Sequence, residues 1–297
     1  MAAAVPAPPV GPGPLAPAAG AGGAATASAG ASPAPVALPA PHPHEQEISD
    51  IRRHHLQRLH DKLATDPQVL RDNCRYESDI ATAPPPRRVV LSFDDGPEPG
   101  QTDHILAVLA KYDVPAVFFM IGEKMQRHPE LVERVRAGRG HVIGNHSWDH
   151  PNFHDIEPAR QAEEVLRGEA LLAPAGDAAP RLFRYPFGNA SCATNALVRA
   201  RGYRIVGWHI DSCDWAFERT GSVDLKEATS CGVLPQLRSD YVGHVLASVR
   251  ARNGGIVLMH EIHPNTIRRL EDIIVQIRAD GYTFDTLQDA AFEASLR

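Results

Sequence analysis

Short apolar runs alternate with amphipathic stretches from about residue 87 to the C-terminus. Runs rich in β-branched and aromatic residues are typical of buried strands, whereas apolar residues three and four positions apart are typical of helices. We therefore expect strands at 87–91, 114–121, 141–144, 181–184, 203–208, 255–259 and 282–284. Helices are expected at 102–112, 129–137, 158–172, 195–201, 241–250 and 266–280.

This alternation predicts an α/β fold. About seven β/α units in one run favour a parallel (β/α)7-8 barrel over an open sheet. Functional residues of such barrels lie at the C-terminal ends of the strands. Polar clusters at the predicted strand ends are therefore candidate functional sites.

The first 86 residues follow a different pattern. Residues 1–44 are almost wholly Ala, Pro, Gly, Ser and Val, with no Asp, Glu, Lys, Arg or aromatic residue. Such a segment cannot bury enough surface to offset its ordering entropy, so we expect a disordered linker. Residues 45–86 are expected to form a helical and then extended lead-in to a domain at 87–297. The linker lacks the basic start and continuous apolar core of a signal peptide. We interpret it as the remnant of an export signal or anchor, which places the protein in the periplasm or outside the cell, and a spacer in a cytoplasmic protein is the alternative.

The net charge, the lengths of apolar stretches and the cysteine spacing exclude several classes of partner and site. The 297 residues carry a formal net charge of −6, without the basic footprint of a nucleic-acid-binding protein. No apolar stretch approaches the roughly 18 residues of a transmembrane helix. The four cysteines fit no CxxC zinc pattern, which leaves free thiols or up to two disulfides. The oligomeric state is not readable from the sequence.

Polar residues at two predicted strand ends indicate a metal site. Asp94 and Asp95 lie just beyond the first predicted strand, where buried carboxylates require a partner. After the third strand, His146 and His150 are four residues apart, and on a helical turn they would point the same way. Two imidazoles and the Asp95 carboxylate make three protein ligands with open positions, as in catalytic sites. Zn²⁺ suits these ligands best, and Co²⁺, Ni²⁺ or Fe²⁺ are alternatives.

Five short motifs occur in order along the chain. They are 92–97 (SFDDGP), 146–150 (HSWDH), 184–188 (RYPFG), 211–215 (DSCDW) and 256–260 (IVLMH). Together they resemble the motifs of the polysaccharide deacetylases of carbohydrate esterase family 4, also called the NodB-homology domain. The resemblance covers residues 87–297 and implies a distorted (β/α) barrel. It also implies metal-dependent removal of N-acetyl or O-acetyl groups from a polysaccharide such as peptidoglycan, chitin oligomers, acetylxylan or an exopolysaccharide.

The resemblance also implies catalytic roles. Asp94 would be the general base, kept ionised by Arg184. His260 would be the general acid, with its pKa raised by Asp214. The metal, held by Asp95 and the two histidines, would activate water and polarise the acetyl carbonyl.

Substrate contacts are implied for a second set of residues. The backbone N–H of Phe187 would bind the oxyanion, and Phe187 stands where the family commonly has tyrosine. Trp215 and Leu258 would line a pocket for the acetyl methyl group. The rings of Tyr185 and Phe187 would face a sugar, with Pro186 between them.

Two other function classes remain open. Fe(II) oxygenases also use two histidines and one carboxylate, but an acid–base pair would have no role there. A non-catalytic carbohydrate-binding module could use the same fold, although the chain retains both Asp94 and His260. The polar stretch 216–240 could cover one side of the groove. A Cys213–Cys231 disulfide would hold it beside Asp214, as suits an oxidising compartment, and two buried free thiols are the alternative.

Overall fold

The computed structural model describes Cys74, residues 76–172 and residues 181–297. The predictions for the linker 1–44 and for residues 45–73 lie outside this part of the chain. The strands are β1 (Arg88–Gly96), β2 (Ala116–Met120), β3 (Val142–Asn145), β4 (Arg181–Phe183), β5 (Tyr203–Ile205), β6 (Ile210–Asp211), β7 (Gly254–His260) and β8 (Thr283–Phe284). The helices are α1 (Gln101–Lys111), α2 (Gly122–Arg127), α3 (Pro129–Ala137), α4 (Pro158–Leu171), α5 (Cys192–Ala200), α6 (Asp214–Thr220), α7 (Leu225–Cys231), α8 (Tyr241–Arg252), α9 (Pro264–Ile267) and α10 (Leu270–Ala279).

The strands form one parallel sheet in the order β5-β4-β3-β2-β1-β7-β6, and β8 pairs with the start of β1. The sheet curls into a half-barrel with helices packed on its outer face, which confirms the predicted α/β class. The curl does not close, because β5 and β6 are the two ends of the sheet and do not pair with each other. The barrel is therefore distorted, with a seam between these two strands.

Side-chain alternation along β1 divides the core into two parts. Val89, Leu91 and Phe93 pack against the outer helices. Val90 packs inside the half-barrel, in a smaller apolar cluster. By the same alternation, Asp94 lies on the inner face, at the C-terminal mouth of the barrel. The strand therefore places the Asp94 carboxylate at the mouth of an interior that is lined mainly by apolar residues.

The seam between β5 and β6 is covered by residues from both ends of the described chain. Asp79 forms a bridge with Trp208, and Leu296 forms one with the residue after β5. The two covering segments also contact each other, because the buried Glu77 accepts a hydrogen bond from the Arg297 guanidinium at 2.6 Å. Residues 76–80, expected as a connector before the domain, therefore pack against the fold.

All four cysteines form disulfides. Cys74 is bonded to Cys192 at the start of α5, and Cys213 is bonded to Cys231 at the end of α7. Of the two alternatives left open for the second pair, the disulfide is the one found. It joins α6 to α7, two helices in the stretch where the sequence pattern predicted only a polar connection.

Candidate active site

A buried ion pair joins β1 to the end of β4. Arg184, which is fully buried, donates from Nη1 to Asp94 Oδ1 at 2.7 Å and to Ser92 Oγ at 2.9 Å. Its other nitrogens donate to the carbonyl oxygens of Val206 at 3.2 Å and Gly207 at 3.0 Å. Burial lowers the pKa of Arg184, and Asp94 opposes that shift. These partners compensate for taking both charges out of water.

Asp95, His146 and His150 converge beside this pair. Asp95 Oδ1 lies 3.1 Å from His150 Nε2 and 3.5 Å from His146 Nε2, and one ligand atom from each residue lies within 4.8 Å of the others. Burial would raise the pKa of Asp95, but the neighbouring histidines hold it well below its usual range. Burial and the charge of His146 lower the pKa of His150 to about 4.

The donor set fits a divalent cation. Asp95 Oδ1 is buried and has no hydrogen-bond partner among the described residues. An ionised oxygen without a hydrogen bond is unfavourable inside a protein unless a cation compensates for it. One carboxylate and two imidazoles are common ligands of divalent transition metals.

An irregular loop brings the two histidines together. The prediction of a helical turn, made from their spacing, is therefore wrong. Ser147 (φ 66°) and His150 (φ 62°) have left-handed backbones that break any helix. The Asn145 side chain accepts the Ser147 N–H at 2.9 Å, and Ser147 Oγ accepts the His150 N–H at 3.2 Å. His146 Nδ1 lies 2.8 Å from the Arg184 carbonyl oxygen. Because a carbonyl only accepts, Nδ1 carries the hydrogen and Nε2 is free to bind a cation.

Two buried polar residues that the sequence pattern did not reveal support this loop. Glu164, on α4, accepts the backbone N–H groups of Trp148 at 2.8 Å and Asp149 at 2.9 Å. Asn145 also donates to the Val165 carbonyl at 3.0 Å. The sequence did contain a signal for this role, because Glu164 is a charged residue on the face of α4 that packs against the fold.

His260 and Asp214 form the second charged pair. In the β1–β7 ladder His260 lies opposite Asp94, so the two pairs share one mouth. Asp214, fully buried, places Oδ1 2.8 Å from His260 Nδ1 and accepts the His260 backbone N–H on Oδ2 at 2.6 Å. Burial would lower the pKa of His260, but Asp214, with smaller contributions from Asp95 and Asp94, raises it to about 10. Asp214 therefore favours the cationic form of this imidazole, and its Nε2 is not engaged by Asp214.

Tyr185 does not face the site, contrary to expectation. It is 1% exposed and packs edge-on against Phe153 and Phe183, at ring distances of 5.2 and 4.7 Å. Its hydroxyl donates to Asn195 Oδ1 at 2.8 Å. Arg184 points into the barrel, so alternation turns the next side chain toward the helices.

The other expected substrate residues differ in exposure. Phe187 is 63% exposed, has a left-handed backbone (φ 57°) and places its ring 4.8 Å from that of His150. Pro186 is buried, as is Leu258 on β7, two residues before His260. Trp215 is half-buried in the first turn of α6 and lines a surface cavity beside α7. Their contacts with a substrate remain predictions.

Comparisons with known proteins show which family the chain resembles in sequence and fold. The family model described as polysaccharide deacetylase matches residues 81–206. The chain is 31% identical over 204 residues to the peptidoglycan-N-acetylglucosamine deacetylase PgdA of Listeria monocytogenes, covering 68% of this chain but only 38% of that protein. It is 34% identical over 212 residues to the chitooligosaccharide deacetylase of Bradyrhizobium sp., covering 70% of this chain and 87% of that protein. The structure of the Bc1960 peptidoglycan N-acetylglucosamine deacetylase superposes with a TM-score of 0.57 at 26% identity, over 71% of this chain and 91% of that one.

Proposed function

Because this chain belongs to the polysaccharide deacetylase family, we propose that it is a divalent-metal-dependent hydrolase that removes acetyl groups from a polysaccharide. The barrel mouth carries this proposal, because it holds a candidate metal set, a carboxylate bound by an arginine and an imidazole bound by a carboxylate. We favour N-acetyl groups of peptidoglycan or chitin oligomers, because relatives are named for these substrates. Acetylxylan and exopolysaccharide are the alternatives.

The proposed metal ligands are Asp95, His146 and His150. Zn²⁺ is the metal we propose, because two imidazole nitrogens and a carboxylate oxygen are ligands it commonly takes in catalytic sites. When bound, the metal would activate water and polarise the acetyl carbonyl.

Asp94 is the proposed general base. Its Oδ1 is bound by Arg184, whereas Oδ2 lies 3.6 Å from His146 Nε2 and so faces the candidate metal set. Oδ2 is thus the atom that can take a proton from the attacking water.

His260 is the proposed general acid. Since Nδ1 is bound to Asp214, Nε2 is the nitrogen that donates. Water adds to the acetyl carbon as Asp94 takes its proton. The C–N bond then breaks as His260 protonates the leaving nitrogen, which yields acetate and a free amine. The Phe187 N–H is the proposed donor to the oxyanion, and Leu258 and Trp215 are the proposed lining of the methyl pocket.

The rate is expected to depend on pH as a bell-shaped curve. Its alkaline limb reports His260, because only the cation can donate a proton, and activity is lost as pH rises through its raised pKa. Replacing Asp214 with asparagine removes the negative charge that raises this pKa. The alkaline limb should therefore move to lower pH, as measured by kcat/KM against pH with the metal content of each variant determined.

Asp211→Asn is the matched control for this prediction. Asp211 lies in the same motif but its Oδ1 accepts the Cys213 N–H at 2.8 Å rather than contacting His260. It should move the alkaline limb much less than Asp214→Asn. If the alkaline limb moved equally in both variants, or in neither, the proposal that Asp214 raises the pKa of His260 would be wrong.

The deacetylase proposal is tested by acetate release. The purified protein, supplied with Zn²⁺, is incubated with peptidoglycan, chitin oligomers, acetylxylan and an acetylated exopolysaccharide. We expect acetate from at least one of them and none after chelation. Release from chitin oligomers but not from acetylxylan would assign N-deacetylation.

The same experiment separates the competing functions. A non-catalytic module would bind glycan and release no acetate. An Fe(II) oxygenase would require iron and dioxygen, whereas the hydrolase needs neither. Acetate release under nitrogen with Zn²⁺ alone would therefore exclude both.

We infer export to the periplasm or extracellular space. Two disulfides support this inference, because disulfides persist mainly in oxidising compartments. A peptidoglycan substrate would also lie outside the cytoplasm. Among the described helices, none has the length and apolar character needed to cross a membrane.

A further inference from the structure

Two aromatic side chains differ from the others in their exposure to solvent. Among the described residues, Tyr76 (53% exposed) and Phe187 (63% exposed) are the only exposed Phe, Tyr or Trp residues. All other aromatic residues of this part of the chain are buried or half-buried. Phe187 belongs to the candidate site, but nothing in the mechanism uses Tyr76.

Tyr76 is fixed beside the turn that carries Phe187. It forms an antiparallel bridge with Asn189, two residues after Phe187. The next residue, Glu77, donates its N–H to the Gly188 carbonyl at 2.8 Å. On the other side, the Cys74–Cys192 disulfide ties the same segment to α5. The exposed ring therefore stands on a backbone that is held from both sides.

Both exposed rings lie against the β3–α4 loop. Phe187 contacts the ring of His150 at 4.8 Å, and Tyr76 contacts that of His154 edge-on at 5.2 Å. Between the two contacts, Asn189 donates to the Asn152 side chain at 3.0 Å and joins the loops. We call Phe187, His154 and Tyr76 the aromatic ridge, which leads outward from the candidate metal set.

We propose that Tyr76 forms a sugar-binding subsite, in which its ring packs on the sugar next to the one that is deacetylated. This inference rests on the proposed function. A pyranose presents apolar C–H groups on its faces and hydroxyls on its rim, and a tyrosine ring with its hydroxyl complements both. The fixed backbone reduces the ordering that binding would otherwise require.

The proposed subsite lies on a different part of the chain from the proposed catalytic residues. Residue 76 lies before the stretch 81–206 that the family model matches. The proposed catalytic residues come from strand ends and the loops that follow them, whereas Tyr76 comes from the segment before β1. Substrate choice can thus vary without a change in the chemistry.

The subsite is tested by comparing a long and a short substrate. We would measure kcat and KM of wild type, Tyr76→Ala and Tyr76→Phe on the N-acetylglucosamine pentamer and on 4-nitrophenyl acetate, which has no neighbouring sugar. Tyr76→Ala should raise KM for the pentamer about 3- to 10-fold, the scale of one aromatic contact, and should affect the small ester much less. Tyr76→Phe keeps the ring and should stay near wild type. Val275→Ala, which shortens a 44% exposed residue on the outer helix α10, is the control.

Binding of the pentamer to the Asp94→Asn protein, with and without Tyr76→Ala, gives a second measurement that needs no turnover. If that protein binds the pentamer through Tyr76 but wild type releases no acetate, the deacetylase proposal fails and the subsite stands. If Tyr76→Ala leaves pentamer KM and affinity unchanged, or lowers kcat equally on both substrates, the subsite proposal is wrong. The second of these results would mean that Tyr76 only supports the Phe187 turn.

Discussion

Replacement of His146 or His150 by alanine is expected to remove both the bound metal and the activity. The Nε2 atom of each histidine lies within 3.5 Å of Asp95 Oδ1, the buried oxygen that lacks a hydrogen bond. With one histidine gone, a carboxylate and a single imidazole remain, and two protein ligands rarely hold a catalytic zinc ion. Metal analysis of the purified variants, together with acetate release, measures both effects.

His104→Ala is the control for the loss of an imidazole. His104 is exposed on α1 and belongs to neither charged pair, so its removal should leave metal content and activity unchanged. Full activity in a metal-free His150→Ala protein would contradict the metallohydrolase proposal. Loss of metal with His104→Ala would show that the assay reports general instability.

Replacing Asp94 by asparagine should lower kcat/KM by about 10²–10⁴-fold, the usual contribution of a general base. The amide keeps the shape of the carboxylate, and its oxygen can still accept the hydrogen bond from Arg184, although the buried guanidinium loses its countercharge and some stability should be lost. It cannot take a proton from water. Metal should be retained, because Asp94 is not proposed as a ligand.

Metal content decides between the two possible roles of Asp94. Its Oδ2 lies only 3.6 Å from His146 Nε2, so a ligand role is geometrically possible. An empty metal site in Asp94→Asn would assign Asp94 to the metal set and leave the base unidentified. Asp149→Asn, which changes a partly exposed carboxylate in the same histidine loop, should affect neither rate nor metal.

The sequence predicted those features that depend on local pattern. Buried strands and amphipathic helices repeat along the chain, and parallel strands bring their C-terminal ends to one mouth, so Asp94 and His260 could be placed together without a structure. Helix α7 was not predicted, although a local signal for it exists. Asp224 and Glu227 form a capping box at its start. The helix is short and has few apolar residues, so its sequence resembles that of a polar loop.

Features that depend on distant partners could not be predicted. The Cys74–Cys192 disulfide spans 118 residues, and four cysteines allow several pairings. The histidine loop takes its shape from left-handed residues and from Glu164 beneath it, neither of which follows from the spacing of two histidines. Tyr185 was misassigned because a motif gives the identity of a residue, whereas alternation after Arg184 decides where its ring points.

The covered seam has a consequence for how the protein can be trimmed. Residues 78–80 and the last two residues pair with the backbone of residues 205–208. A fragment that begins at residue 87 would keep every strand and every proposed catalytic residue, yet it would expose the Trp208 backbone groups that now pair with Ser78 and Ile80. Unpaired backbone at the rim of a sheet is a template for another chain, so such a fragment should aggregate. The solubility of the domain therefore depends on segments that carry none of its proposed acid–base chemistry.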